Sequence, residues 1–313
     1  MIAQQFIDQG YPISAVLRVL KLPRSSFYYR PKTTGKPAGR PISTHTYTLG
    51  GMRVSNEQLV ADIADILSRE FVDYGYTKVT YALRDEFEYR INRKKVYRLM
   101  REHGLLNAVV SSPRSPRRWV KELIPPAHSP FSYLEFDIKY IWVAGLRRNA
   151  QILSVLDVHS RWLLGHVIGY CITQHDIMQL FDQLLDTYTF PKHAWVRCDN
   201  GAQMQARAVQ QYFDRKGIIQ EFTKPATPEQ NAHIESYHSI LERVICNRYE
   251  FKDMDELNQT FKRWHVFYNE HRIHSSIGYM SPSKYLYTKG YELAGFTAPQ
   301  KSCESMPVRY PSH

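Results

Sequence analysis

The sequence predicts an α/β protein, with a mixed five-stranded sheet flanked by helices and preceded by all-α helix-turn-helix units. Three observations predict it. Between residues 131 and 250 the hydrophobic pattern runs three strands, helix, strand, helix, strand, helix, an order that suits a mixed sheet with helices on both faces. Ahead of it, residues 55–108 carry three successive stretches of helical period. Hydrophobic residues make up 43% of the 313, enough to bury a real core.

Taken in order, residues 1–31 form a small helix-turn-helix-like segment. Ile13, Val16, Leu17 and Leu20 recur at helical spacing, Lys21-Leu22-Pro23 makes the turn, and Arg24-Ser25-Ser26-Phe27 starts a second helix. Residues 32–54, rich in Gly, Pro, Ser and Thr, read as a linker. In 55–108 the first helix is marked by Leu59, Ile63, Ile66 and Leu67. Thr77 caps a second helix bearing Val79, Leu83 and Phe87. Asn92 caps a third, with Val96, Leu99 and Met100 inward, and Gly104 stops it. Arg93, Lys94, Lys95, Arg98 and Arg101 of that third helix are free to face outward. Residues 71–120 hold 11 Lys/Arg against 5 Asp/Glu, a density suited to phosphate contacts. A Pro/Ser/Arg linker, 109–130, follows, with Arg114, Arg117 and Arg118 able to track a DNA backbone.

Within 131–250, Tyr133 to Tyr140, Gln151 to Val158 and Trp162 to Tyr170 read as strands, and 175–189 as a helix. Ala194 to Cys198 is a short strand ending at Asp199-Asn200-Gly201. A helix near 203–216 and a strand, Ile218 to Phe222, come next, and a Pro-bounded loop leads into a long helix from about 230. Residues 251–290 extend this core with a helix whose face is aromatic (Phe261, Trp264, Phe267 and Tyr268), and 291–313 is a Pro/Ser-rich tail.

The formal net charge is +11, which favours a polyanionic partner, nucleic acid being the commonest. The four cysteines, Cys171, Cys198, Cys246 and Cys303, show no metal-ligand spacing, so neither a zinc site nor a disulfide framework is expected, and a reducing cytosol fits. The start of the chain lacks the basic and apolar regions of a signal peptide, and no run approaches the roughly 18 apolar residues of a membrane span. The expectation is a cytoplasmic protein.

Three acids are the candidates for chemistry. Asp137 lies inside a hydrophobic strand, where a charge is costly unless paired or metal-bound. Asp199 closes a strand before Asn-Gly, and Glu235 sits one turn into a helix. Hard oxygen ligands, few in number, are what Mg²⁺ requires, the rest coming from water and substrate phosphate. Each acid also has a structural reading: Asp199 as a turn residue, Asp137 as the partner of Lys139 or an arginine, and Glu235 as a helix N-terminal acid. Asp157, between two strands and beside Ser160-Arg161, reads as a hairpin acid.

Thirty-five residues separate Asp199 from Glu235. The segment Cys198-Asp199-Asn200-Gly201, then Pro225 to Pro228, then Asn231-Ala232-His233-Ile234-Glu235-Ser236 resembles the retroviral-integrase-like catalytic core. It is most similar to bacterial insertion-sequence transposases of the frameshifting, copy-out paste-in kind. Tyr74-Gly75-Tyr76, Asn92 to Met100 and Gly104-Leu105 resemble that family's helix-turn-helix segment. Tyr268-Asn269, Arg272, His274, Gly278-Tyr279 and Ser281-Pro282 resemble its C-terminal signature. The resemblance covers about residues 55–290, in the family's order.

It implies a ribonuclease-H-like fold with the strands of Asp137 and Asp199 side by side and Glu235 facing them. It also implies DDE transposase activity, with two Mg²⁺ or Mn²⁺ ions held by Asp137, Asp199 and Glu235. Water cleaves the element's ends, and the freed 3′-hydroxyl attacks another phosphodiester. Asn231 shapes the loop into the helix, and His233, His238 and Arg243 lie near DNA. Glu242 stands where many relatives carry a basic residue. The implied partners are double-stranded DNA (terminal inverted repeats and target), further copies of the chain in a homodimer or higher oligomer, and an upstream-frame DNA-binding protein that is fused or bound.

A tyrosine recombinase requires a dispersed Arg/His set around one nucleophile, which the sequence does not assemble. A catalytically inactive DNA-binding regulator or inhibitor derived from a transposase, and a structure-selective nuclease on the same fold, are the alternatives.

Overall fold

The computed structural model describes residues 2–29, 42–107, 127–224 and 228–291. Arg114, Arg117, Arg118 and the tail 292–313 lie outside them. The chain separates into two units, Met1–Ser43 and Thr44–His313.

The first unit holds three short helices, α1 (Ile2–Asp8), α2 (Ile13–Val19) and α3 (Arg24–Phe27). Val16 and Leu17 are buried, as their helical spacing predicts. α1 was not legible, and α3 is a single turn, shorter than the helix read there.

The second unit begins with a hairpin inside the segment read as a linker. β1 (His45–Tyr47) pairs antiparallel with β2 (Arg53–Ser55). Three-residue strands give too little alternation to stand out from a Gly- and Thr-rich run. The hairpin is held from outside: Lys95 Nζ donates to His45 O at 2.6 Å, and Thr46 Oγ1 donates to Arg90 O at 2.9 Å.

Three helices follow, α4 (Asn56–Ser68), α5 (Tyr76–Glu86) and α6 (Arg93–Glu102). Ser55 caps α4 by accepting from Gln58 N–H at 3.2 Å, and Asn92 caps α6 by accepting from Lys94 N–H at 2.8 Å. α5 begins one residue before the predicted Thr77 cap, and its N-cap residue, Gly75, makes no side-chain cap. Leu59, Ile63, Ile66, Val79, Leu83, Val96, Leu99 and Met100 form one apolar core with Ile273.

The sheet comprises β3 (Tyr133–Val143), β4 (Arg148–Asp157), β5 (Leu163–Gly169), β6 (Trp195–Cys198) and β7 (Ile219–Phe222), ordered β5-β4-β3-β6-β7. The pairs β3–β4 and β4–β5 are antiparallel, whereas β3–β6 and β6–β7 are parallel. This is the expected mixed sheet, with the strands of Asp137 and Asp199 adjacent.

Alternation along β3 splits its faces. Leu134 and Phe136 pack in a core with Phe181 of α7 (Gln174–Thr187) and Phe213 of α8 (Arg207–Lys216). Ile141 and Val143 pack in another core with Ile234 and Tyr237 of α9 (Ala232–Leu241) and with Phe261 and Trp264 of α10 (Met254–Val266). Helices thus cover both faces. α9 continues into a wider helical turn, Glu242–Cys246, and α10 into another, Phe267–His271. A last helix, α11 (Pro282–Thr288), is capped by Ser281. No described helix is long and apolar enough to cross a membrane.

The three-helix segment is fastened to the sheet unit. Tyr74 Oη accepts from Ile273 N–H at 3.0 Å and donates to His271 O at 3.2 Å. Arg272, 1% exposed, stands 2.8 Å from Asp73, and Arg243 approaches the same carboxylate at 3.2 Å.

Candidate active site

Asp137 projects from the middle of β3. Its carboxylate accepts from its neighbour Ile138 N–H at 2.7 Å, and its second oxygen lies 3.6 Å from His238 Nδ1 on α9. Asp199 is the first residue after β6, exposed, with Oδ1 accepting from Gly201 N–H at 3.0 Å in the expected turn. Glu235 is exposed in the first turn of α9.

The three acids share one electrostatic environment. Burial pushes the Asp137 carboxyl up to about 7, and the negative charges of Asp199, Glu235 and Glu135 push in the same direction. Burial lowers His238 to about 4, helped by the Lys139 charge, so the imidazole beside Asp137 is neutral at pH 7 and offers the acid no compensating charge. Two polar atoms flanking this region, Asn231 Oδ1 and His238 Nε2, are buried without a hydrogen-bond partner among the described residues.

Lys139 lies two residues beyond Asp137 and therefore on the same face of β3. It pairs with Glu242 at 2.7 Å, not with Asp137. The structural alternative for Asp137, an ion pair with Lys139, is thereby removed. Asp157, in contrast, is a structural acid. Fully buried, it accepts from Phe131 N–H at 3.1 Å, from Ser160 N–H at 2.8 Å and from the Ser160 hydroxyl.

Carboxylate oxygens whose negative charges repel one another fit a hard divalent cation in donor type and charge. In spacing they stand open. Among the described residues, no group of three His, Cys, Asp or Glu side chains is close enough to hold a metal ion.

The residues anticipated at DNA divide. Arg93, Lys94 and Arg101 are exposed on α6. Lys95 reaches the hairpin carbonyl, and Arg98 pairs with Glu102 at 3.3 Å. Asn231 is buried, and Arg243 is engaged by Asp73. His233 donates its backbone N–H to Glu135 at 3.0 Å, and its Nδ1 lies 2.9 Å from the same carboxylate.

Glu135 and Arg197 were not singled out from sequence, although both are fully buried. They are direct cross-strand partners on β3 and β6. Arg197 donates to Glu221 at 3.0–3.2 Å and to Gln230 O at 2.6 Å. The available signal was a charge at a strand position spaced by two from a proposed acid on each strand.

The Integrase core domain family matches residues 127–228, and a second family of the same description matches 216–282. An HTH-like domain family matches 55–112. The putative transposase InsK for insertion sequence element IS150 of Escherichia coli is 27% identical over 292 residues, covering 89% of this chain and 95% of that one. The transposase InsD for insertion element IS2 of Escherichia coli is 24% identical over 300 residues, covering 91% of this chain and 94% of the other. Among solved structures, the catalytic core domain of BIV integrase aligns with a TM-score of 0.39 at 17% identity, covering 51% of this chain and 97% of that one. Residues 127–282 thus match integrase core domains and residues 55–112 an HTH-like domain, and the chain is similar along most of its length to transposases of bacterial insertion sequences.

Proposed function

We propose that the chain is a DDE transposase that cleaves DNA at insertion-sequence ends and joins the freed 3′-hydroxyl to another phosphodiester. The observation that carries this reading is topological: β3, which bears Asp137, pairs directly with β6, which Asp199 follows, and Glu235 stands on α9, which packs on the same face of β3 as Asp137. Asp137, Asp199 and Glu235 are the catalytic set and the residues that hold divalent metal, Mg²⁺ or Mn²⁺, two ions per site.

When bound, such ions activate an attacking oxygen and stabilise the leaving one. The chain's own residues do the remaining work. Asp137 presents oxygens from the middle of β3 and Asp199 from the end of the neighbouring β6, and Glu235 brings a third carboxylate from the helix that packs on the sheet. The neutral His238 beside Asp137 leaves that negative charge uncompensated for a cation. Exposed Arg93, Lys94 and Arg101 on α6 give the three-helix segment a phosphate-facing surface.

The division into domains at 55–108, 131–250 and 251–290, cytoplasmic residence near the nucleoid, assembly as a dimer or larger oligomer on DNA, and union with an upstream-frame DNA-binding protein belong to the same proposal.

The test is incubation of purified protein with Mn²⁺ and labelled element-end DNA, followed by sequencing of joined products. Nicked and joined products that vanish on adding EDTA, and in Asp137→Asn, Asp199→Asn and Glu235→Gln proteins that still bind DNA, are expected. DNA binding with neither nicking nor joining overturns the reading in favour of an inactive regulator. Cleavage without joining identifies a nuclease.

A further inference from the structure

We infer that Glu135 and Arg197 are positioning residues that pin the entrance of α9 to the sheet and so set where Glu235 stands, an inference that rests on the proposed role of Glu235.

The geometry is specific. Glu135, Arg197 and Glu221 form one rung across β3, β6 and β7, in direct register. Glu135 and Arg197 are each 0% exposed. Two residues further along the chain from Glu135 and Arg197 stand Asp137 and Asp199. The rung therefore lies one step beneath Asp137 on the same face of β3, and two residues before Asp199, which directly follows β6.

Both buried members reach the chain segment just before Glu235. Arg197 Nη1 donates to Gln230 O at 2.6 Å, in the turn Pro228–Asn231 that precedes α9. Glu135 Oε2 accepts from His233 N–H at 3.0 Å and Ile234 N–H at 2.8 Å, while Oε1 meets His233 Nδ1 at 2.9 Å.

Those two amides are among the unsatisfied donors of the helix's first turn. The local N-cap residue, Asn231, provides no side-chain cap. A carboxylate from a strand 98 residues away in sequence therefore performs that role. Its charge also complements the positive end of the helix, and an ionised acceptor makes the stronger hydrogen bond. Arg197 is in turn oriented by Glu221, whose carboxylate it grips through Nε and Nη2. The strands that carry Asp137 and Asp199 thus hold the helix that carries Glu235, so the spacing of the three acids is set through contacts of the neighbouring rung.

The test uses the full chain with Glu135→Gln, a nearly isosteric change that removes the charge and leaves only a neutral amide oxygen to accept from the two N–H groups. Hydrogen exchange is read by mass spectrometry in metal-free protein, and Mn²⁺ binding is read by electron paramagnetic resonance. The expected result is exchange about tenfold faster in the peptide covering 231–237, with the β3–β4 peptides unchanged. The Mn²⁺ midpoint should rise by about tenfold as well. Arg197→Lys, which keeps the charge but cannot grip Glu221 and Gln230 O together, should shift both readouts in the same direction and serves if Glu135→Gln does not fold. Unchanged exchange at 231–237 in a folded variant overturns the pin. Faster exchange with an unchanged Mn²⁺ midpoint overturns its role in placing Glu235. Wild-type protein that binds no Mn²⁺ overturns the proposed function instead, and the exchange comparison still decides the pin.

Discussion

Lys139 and Glu242 form an ion pair at 2.7 Å that ties β3, two residues beyond Asp137, to the helical turn seven residues beyond Glu235. The pair engages the Lys139 ammonium. Glu242→Gln releases it. Binding to element-end DNA, followed by fluorescence anisotropy between about 50 and 200 mM salt, should tighten, and the slope of log K against log salt should steepen by about 0.9, one additional phosphate contact. An unchanged slope places Lys139 away from the DNA.

The raised pKa of Asp137 makes a pH prediction for metal-free protein. Its folded value of about 7 lies above the unfolded 3.8, so between these values the folded state binds more protons than the unfolded state. This group's contribution to stability is therefore full below about pH 4 and is lost as pH rises through 7. Asp137→Asn should remove that loss, leaving the variant more stable than wild type at pH 8 by a few kcal/mol at most in EDTA. Urea denaturation at pH 5 and pH 8 measures it; equal pH dependence in both proteins refutes the assignment.

The buried pair Asp73–Arg272 separates a structural charge cluster from the catalytic one. Arg272 is 1% exposed and the Asp73 side chain 10%, so removing Arg272 leaves a mostly buried carboxylate with the more exposed Arg243, 3.2 Å away, as a remaining partner. Arg272→Met should cost about 3–5 kcal/mol in chemical denaturation, and the double variant Asp73→Asn, Arg272→Met should recover much of it. Additive losses would show that the two side chains do not act as a pair.

On α6 the neighbours Lys94 and Lys95 should behave differently. Lys94 is exposed, whereas the Lys95 ammonium is held by His45 O at 2.6 Å. Lys94→Ala should weaken DNA binding uniformly across sequences and lower the salt slope by about one. Lys95→Ala should mainly loosen the β1–β2 hairpin, read as faster hydrogen exchange over 44–55. Identical salt slopes for the two variants would contradict this division of roles.

Much of the architecture was legible because it is written in local periods. Alternation in Tyr133 to Tyr140 and the helical spacing of Leu59, Ile63 and Ile66 each follow from a side chain's need to face one core, and the observed elements match. Asp137 and Asp199 stood out because a charge inside or closing an apolar strand demands an explanation. The β1–β2 hairpin escaped because two three-residue strands gain their stability from Arg90 and Lys95, more than thirty residues away.

The sequence by itself determined the order of strands and helices from residue 131 to 250 and the three acids worth testing, since hydrophobic period and residue chemistry are local properties. Tertiary structure alone decided the partners. It matched Glu135 with Arg197 in register, turned Lys139 to Glu242 instead of Asp137, and engaged Arg243 with Asp73. The reason is physical: which charges meet depends on strand register and helix docking, and these are fixed by the burial of whole faces, so no short stretch of residues encodes them.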